Sequence, residues 1–322
     1  MHNKYIYDFE KPLEEIQIKI NALKTTSIQT GTDVTLKLND LENQLKKESI
    51  KIYSSLSRWQ KVQLARHPDR PHGKDYIDKI TSYWLELHGD RKYSDDKAII
   101  SGIAKIDNLK VAIVAQEKGR GTKDKVYRNF GMPNPEGYRK ALRIMKLAEK
   151  YQIPIVTLID TPGAYPGIGA EERGQAQAIA DNLFEMARLK VPIISIVIGE
   201  GASGGALAIG LTDKILCMEN TWYSVISPEG CASILYRDAS MSEEAADSMK
   251  VTSIDLNEMG IADEIIKEPL GGAHRNPRES ALNLKDAILR NIEKLNGYSL
   301  SELIENRKFK YDKIGSWTID EQ

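Results

Sequence analysis

The sequence predicts an α/β protein: stacked strand–helix units behind an N-terminal helical arm. Three observations carry this. From about Ala98 short β-rich runs alternate with helical stretches, the pattern of successive βαβ units. Two of those runs end in glycine-rich turns of similar design, Pro162-Gly163-Ala164 and Ser203-Gly204-Gly205. Before them, apolar residues recur at helical spacing with Lys and Glu between. The expected organisation is a helical arm over 1–74 and a second unit over 75–322 that ends in a polar tail from about Phe309.

In the arm, Leu13, Ile16, Ile20 and Leu23 form one stripe, and Leu38, Leu41, Leu45 and Ile52 another. Two amphipathic helices follow, broken near residues 25–32. They either pack on their own domain or grip a partner subunit. The run His67 to Lys74, with two prolines and a glycine, is expected to end the arm. Ala98 to Ile106 and Leu109 to Gln116 read as strands joined at Asp107-Asn108, a hairpin signal. Asn134-Pro135-Glu136 opens a helix, with Asn as cap, Pro at the first helical position and an acid in the first turn. Strands follow at Ile155 to Ile159 and Ile193 to Ile198, with a helix from about Glu171 to Leu189 between them. Short strands are expected at Lys214 to Met218 and Tyr223 to Ile226.

Composition excludes several classes. The 322 residues carry 45 basic and 46 acidic side chains, a net charge of −1, without the basic excess expected of nucleic-acid or membrane-surface proteins. Cys217 and Cys231 are the only cysteines, too few for a four-cysteine zinc site or a disulfide framework, so a reducing, cytoplasmic compartment is the simpler expectation. The polar N-terminus does not read as a signal peptide. The longest apolar runs, Ile153 to Ile159 and Val191 to Ile198, have strand length and are too short to span a bilayer. His67, His72 and His88 make no metal motif by spacing, and no G-x-x-x-x-G-K-[ST] run is present for ATP chemistry.

The two glycine turns carry the chemistry. Glycine admits positive φ and lets a ligand approach the backbone amides closely. The first N–H groups of a helix have no internal partner and lie at the positive end of its dipole. A glycine turn opening a helix is therefore suited to hold an oxyanion. One such turn alone is more often simple strand–helix packing; a pair at corresponding places in successive units is more informative.

The strings RNFGMPNPEGYRKALR (Arg128 to Arg143), DTPGAYPGIGAEERGQ (Asp160 to Gln175), GEGASGGALAIG (Gly199 to Gly210) and SPEGCASILYRD (Ser227 to Asp238) resemble the alpha subunits of acetyl-CoA carboxylase carboxyltransferases. The resemblance spans roughly Asp33 to Pro277. It implies the crotonase fold, a spiral of ββα units shared with the Clp protease. It implies transfer of a carboxyl group from carboxybiotin, borne on a separate biotin carboxyl carrier protein, to acetyl-CoA, forming malonyl-CoA for fatty acid synthesis. By that resemblance the amides of Gly204 and Gly205 hold the ureido oxygen of biotin, and Gly163 and Ala164 line the same site. Gly201, Ser203 and Tyr165 join as cofactor-binding residues. No side-chain nucleophile is needed: negative charge left on biotin is held by amides, and the biotin nitrogen takes the methyl proton of acetyl-CoA. The implied partners are a carboxyltransferase beta subunit, two copies of each chain, with the carrier protein and a biotin carboxylase. The zinc ribbon belongs to the beta subunit, so no metal is expected here. Where the family often has Gly-Gly-Ser, this chain has Gly201-Ala202-Ser203, which predicts an ordinary backbone angle at Ala202.

Lys118 to Arg128 holds five Lys or Arg in eleven residues. It is either a solvated loop or a clamp, in which Lys123, Lys125 and Arg128 meet the phosphates of coenzyme A or the carrier. Two enzymatic rivals remain. Gly201-Ala202-Ser203-Gly204-Gly205 fits the G-x-S-x-G of a nucleophile elbow, with His274 downstream. An acyl-CoA hydratase or isomerase on the same fold would use glutamates as acid and base, for which Glu171, Glu172 and Glu200 are candidates. A non-enzymatic scaffold, in which the glycine turns are structural alone, is the third alternative.

Overall fold

The computed structural model describes residues 5–315. Helices α1 (Lys11–Thr30), α2 (Thr35–Ser54), α3 (Arg58–Ala65) and α4 (Gly73–Ile80) precede strands β1 (Tyr83–Glu86), β2 (Ile99–Ile106) and β3 (Leu109–Gln116). Then come α5 (Gly121–Tyr127), α6 (Pro135–Lys150), β4 (Ile155–Thr161), α7 (Ile168–Glu172), α8 (Gln175–Met186), β5 (Ile193–Ala202) and α9 (Ser203–Leu207). Strands β6 (Lys214–Met218) and β7 (Trp222–Ser224), helices α10 (Pro228–Leu235), α11 (Ser242–Met249) and α12 (Ser253–Glu258), strand β8 (Glu264–Ile266), and helices α13 (Pro277–Leu295) and α14 (Leu300–Asp312) complete the order.

The strands form one sheet in the order β1-β2-β3-β4-β5-β6-β8, with β7 paired to β5. The β1–β2–β3 end is antiparallel, and β3 onward is parallel. The β2–β3 hairpin closes on Asp107 at φ 49°, with Ile106 opposite Leu109, as the Asp-Asn signal predicts. Every residue of β4 and β5 is buried, because helices cover both faces. Tyr76 and Ile77 of α4 and Leu284 and Ile288 of α13 pack on one face. Ala141, Ile144, Met145 and Ala148 of α6 pack on the other. Buried charge ties these layers to the strand ends.

Several expectations need correction. The break between the first two helices of the arm falls at residues 31–34, where Gly31 takes φ 69°, because α1 continues through Thr30. Leu13, Ile16 and Ile20 are buried, but Leu38, Leu41 and Leu45 of α2 are only half-covered. The start of α1 is pinned by buried Glu10. Its Oε2 accepts from the N–H groups of Ile6 and Tyr7, and its Oε1 accepts from the Tyr53 hydroxyl at 2.5 Å and Arg275 at 3.0 Å. The helix expected over 171–189 is two helices, parted at Gly174 with φ 80°. Residues 118–128 are not all loop, since α5 occupies most of them. Asn134 precedes α6 but makes no side-chain cap; Asp96 accepts from its N–H instead. Residues 309–312, expected in a polar tail, continue α14. That helix is held by buried Arg307, which donates to Asp213 at 2.7 Å and to the carbonyls of Met186, Leu189 and Val191. The rest of the expected tail, 316–322, lies outside the described residues. Among the described residues no helix is long and apolar enough to cross a membrane. No group of three or more His, Cys, Asp or Glu side chains is placed to hold a metal ion among them.

Candidate active site

Parallel strands β4 and β5 bring their two following turns side by side. Their register shifts between Ile159 and Thr161, so that Thr161 faces Gly201. The turns touch at Gly205. A Cβ there would stand 2.4 Å from the Gly163 carbonyl carbon and 2.5 Å from the Ala164 nitrogen, closer than real side chains come. Glycine at 205 is thus dictated by backbone-to-backbone packing. Gly163 itself takes φ 147°, and its N–H donates to Thr161 Oγ1 at 3.0 Å. Gln116, at the end of β3, fastens both turns: its amide donates to the Gly205 carbonyl at 2.8 Å, and its Oε1 accepts from the Asp160 N–H at 3.0 Å.

The second turn opens α9 directly. Gly204 and Gly205 lie in its first turn, where N–H groups have no acceptor within the helix. Among the described residues no carbonyl or side chain accepts from either N–H. Ala202 has the ordinary extended angles expected, φ −108° and ψ 139°. The left-handed residue is Ser203, at φ 61° and exposed. By contrast, the first turn does not lead straight into a helix, since α7 begins only at Ile168.

Below the turns lies a charged cleft of about 450 Å³. Its wall includes His67, Pro68, Asp69, Arg70 and His72, the run expected to be a simple end to the arm. Lys118 reaches Asp160 at 2.7 Å and Glu200 at 2.6 Å. Arg66 holds the other oxygen of Glu200 at 2.5 Å and also pairs with Glu229. Arg70 is buried, donating to the Ile198 carbonyl at 2.6 Å and to both oxygens of Glu268. His72 stands 3.1 Å from Glu117. Burial alone would raise the Glu200 carboxyl, but Lys118 and Arg66 hold it below the ordinary glutamate value. Burial likewise opposes the charge on Lys118, and Asp160 and Glu200 more than restore it. Glu200 is thereby kept ionised and paired, which does not suit a general acid. Glu171 and Glu172 are exposed on α7, so the hydratase arrangement is not assembled.

The predicted residues therefore divide. Gly163, Ala164, Gly204 and Gly205 converge. Ser203 adjoins them, its Cβ 3.9 Å from where a side chain on Gly163 would begin. Tyr165 continues the first turn, its N–H donating to the Pro133 carbonyl at 3.0 Å. Gly201 backs the site from within β5, against the Tyr223 ring. Lys125 lines the charged cleft, and Lys123 does not. Arg128 is turned elsewhere, donating to Asp124 at 2.9 Å and the Lys97 carbonyl at 3.0 Å. His274 is buried and stacked on His67, ring centroids 3.7 Å apart, whereas Ser203 is exposed. Sequence reading missed Arg66, Arg70, Lys118 and Asp160 as a group, because their pairing joins residues far apart in the chain. It also missed Asn129 and Phe130, left-handed at φ 47° and 56° beside Gly131, whose carbonyl is 2.6 Å from Thr161 Oγ1. Strain of this kind gathers at functional sites.

The acetyl co-enzyme A carboxylase carboxyltransferase-like family model matches residues 6–315. The chain belongs to this family. It is 51% identical over 315 residues to the acetyl-coenzyme A carboxylase carboxyl transferase subunit alpha of Methylococcus capsulatus, covering 98% of this chain and 97% of that one. The protein of the same name from Vesicomyosocius okutanii is 54% identical, over 96% and 98% of the two chains. Membership makes this a carboxyltransferase and one subunit of a multi-subunit enzyme. Among solved structures, the transcarboxylase 12S hexamer matches with a TM-score of 0.56 at 18% identity, over 80% of this chain and 46% of that longer one. A Pseudomonas malonate decarboxylase hetero-tetramer matches with a TM-score of 0.58 at 15% identity, over 73% and 91%. These establish a crotonase-like carboxyltransferase fold.

Proposed function

We propose that this chain is the biotin-facing half of an acetyl-CoA carboxylase carboxyltransferase, which moves a carboxyl group from carboxybiotin to acetyl-CoA and forms malonyl-CoA. The observation that carries the reading is the meeting of the two turns at Gly205, which leaves the N–H groups of Gly204 and Gly205 without internal acceptors beside a wall of Gly163 and Ala164. That arrangement fits the ureido oxygen of biotin: two adjacent donors without an internal acceptor, and close backbone approach. Biotin, delivered on its carrier protein, supplies the transferable carboxyl group. The chain's own part is to hold charge. The two N–H groups donate to the ureido oxygen as it becomes more negative, and each preorganised donor can contribute roughly 3–4 kcal/mol. Gln116 keeps the Gly205 peptide fixed while this happens, so little reorganisation is required. Ser203 and Tyr165 border the opening, and Gly201 supports it from β5.

In this reading a beta subunit supplies most of the acetyl-CoA site, and two copies of each chain assemble with the carrier protein and a biotin carboxylase in the cytoplasm. The half-covered apolar seam of α2 supports an arm, residues 1–74, that grips a partner. Reconstitution tests the whole reading. Biotin-dependent decarboxylation of malonyl-CoA is followed for this chain, for a candidate zinc-ribbon beta subunit, and for the mixture. Activity is expected only in the mixture. A stable but inactive complex with a competent partner would reduce this chain to a scaffold.

A further inference from the structure

The ends of β4 and β5 carry a cluster of charge that sets how far apart the two turns stand. Across the register shift Ile159 faces Val197 but Thr161 faces Gly201, so β5 carries two more residues over this step than β4. A side chain takes up the surplus. Asp160 Oδ1 accepts from the Glu200 N–H at 3.0 Å, and it is pressed so close to β5 that a Cβ on Gly199 would stand 2.3 Å away. Asp160 and Glu200 thus end their strands as neighbouring buried acids, three residues before Gly163 and four before Gly204. Like charges in such a place repel strongly. Lys118, two residues beyond the end of β3, meets both. It donates to Asp160 Oδ1 at 2.7 Å and to Glu200 Oε1 at 2.6 Å, with little of its side chain exposed. Its stem is held from behind. Asn129, Phe130 and Gly131 are all left-handed, at φ 47°, 56° and 77°, and a Cβ on Gly131 would stand 2.6 Å from Lys118 Cγ. The Gly131 carbonyl in turn accepts from Thr161 Oγ1 at 2.6 Å, and Thr161 Oγ1 accepts from the Gly163 N–H. Arg66 also holds Glu200 but divides itself with Glu229, and Arg70 is committed to Glu268. Among the described residues Lys118 alone pairs with both acids.

We propose that Lys118 is a positioning residue for carboxyl transfer: by neutralising Asp160 and Glu200 together, it holds the turns after β4 and β5 at the spacing that aims the Gly204 and Gly205 N–H groups. It acts through the backbone and not on the reacting atoms. Asp160 passes the constraint on, because its N–H donates to Gln116 Oε1 and the Gln116 amide donates to the Gly205 carbonyl. The role rests on the amides being the groups that stabilise charge.

The test uses the complex reconstituted with a competent beta subunit, and reads kcat and KM for malonyl-CoA in biotin-dependent decarboxylation beside the melting temperature. Lys118→Met should lower kcat roughly tenfold or more while KM stays within about twofold, because a displaced donor weakens the transition state and not substrate binding. Replacing Glu200 as well removes the repulsion, leaves Arg66 to Glu229, and lets a neutral amide face Asp160. The double variant K118M/E200Q should therefore recover most of the loss, and it serves also if Lys118→Met alone fails to fold. A rise in KM without a fall in kcat would make Lys118 a substrate contact and overturn the role. So would unchanged kcat in Lys118→Met, or a double variant that assembles yet stays roughly tenfold below wild type. Gly205→Ala is measured alongside. If it keeps full turnover, the amide reading fails; if it alone loses turnover, only the role of Lys118 falls.

Discussion

At Gly205 and Gly204, two adjacent glycines answer to different physics. A methyl group at 205 would meet the Gly163–Ala164 backbone at 2.4–2.5 Å, which no side-chain motion can relieve, whereas at 204 the nearest atom is Ile179 Cδ1 at 3.5 Å, an ordinary contact. Gly205→Ala should therefore separate the two turns, costing ~1–3 kcal/mol of stability by overpacking. It should also lower turnover by roughly 10²–10³ as the amide donors shift. Gly204→Ala should keep the melting temperature and most of the activity. Thermal denaturation with reconstituted kinetics distinguishes them; equal effects would contradict the contact at 205. Ser203 supplies a second comparison. Its φ of 61° places it on a strained strand-to-helix turn, the backbone form of a nucleophile elbow. If the amides carry the chemistry, Ser203→Ala should retain decarboxylation within a few-fold, and a collapse in turnover would restore the hydrolase reading.

Helix α5 decides what the basic run Lys118 to Arg128 can do. Read as a string, its five cations looked equivalent. Folding the middle into a helix separates them: Lys118 is drawn to Asp160 and Glu200, Arg120 is held by Asp75 and the Arg70 carbonyl, Lys125 reaches the cleft wall, Lys123 stays outside, and Arg128 is spent on Asp124 and a carbonyl. The phosphate-clamp idea then narrows to Lys125. Lys125→Gln should raise KM for malonyl-CoA several-fold with little change in kcat, and Lys123→Gln should move neither. A shift of KM in Lys123→Gln alone would reverse that assignment. The hairpin, β4, β5 and the start of α6 were all legible because each is set by local chemistry: a two-residue turn, a run of β-branched side chains, or Asn-Pro at a helix start. The break at Gly174 and the extension of α14 were not. The first is a single left-handed glycine inside an otherwise helical pattern, and the second depends on Arg307 finding four carbonyl and carboxylate partners across the molecule.

On the scale of the whole molecule, the arm, the cleft and the C-terminal half are joined by buried polar groups, and stability follows pH through them. His67 is the clearest case. Its Nδ1 accepts the Asp69 N–H at 3.1 Å and its ring stacks on His274, an arrangement that requires the neutral ring. Burial, the largest cause, lowers its pKa from 6.5 to about 4. Between those values the unfolded chain binds a proton that the folded chain refuses, so stability is present above pH 6.5 and is lost as pH falls toward 4. The slope should approach ~1.4 kcal/mol per pH unit for this one group. Denaturant unfolding of the wild type and of His67→Phe from pH 4 to 7 should show a shallower dependence in the variant; parallel curves would exclude His67 as a source.

The sequence by itself determined the α/β class, the central strands, the hairpin, the paired glycine turns and the resemblance to carboxyltransferase alpha subunits, because backbone chemistry and contiguous strings are written locally. Only the tertiary structure decided that Gly205 touches Gly163 and Ala164, and that His67 to His72 wall the cleft rather than merely end the arm. It alone showed that Asp160 and Glu200 share Lys118. Those contacts join residues 41 to 82 positions apart, and such pairings arise from the parallel register of β4 and β5 and from burial that makes each charge find a partner.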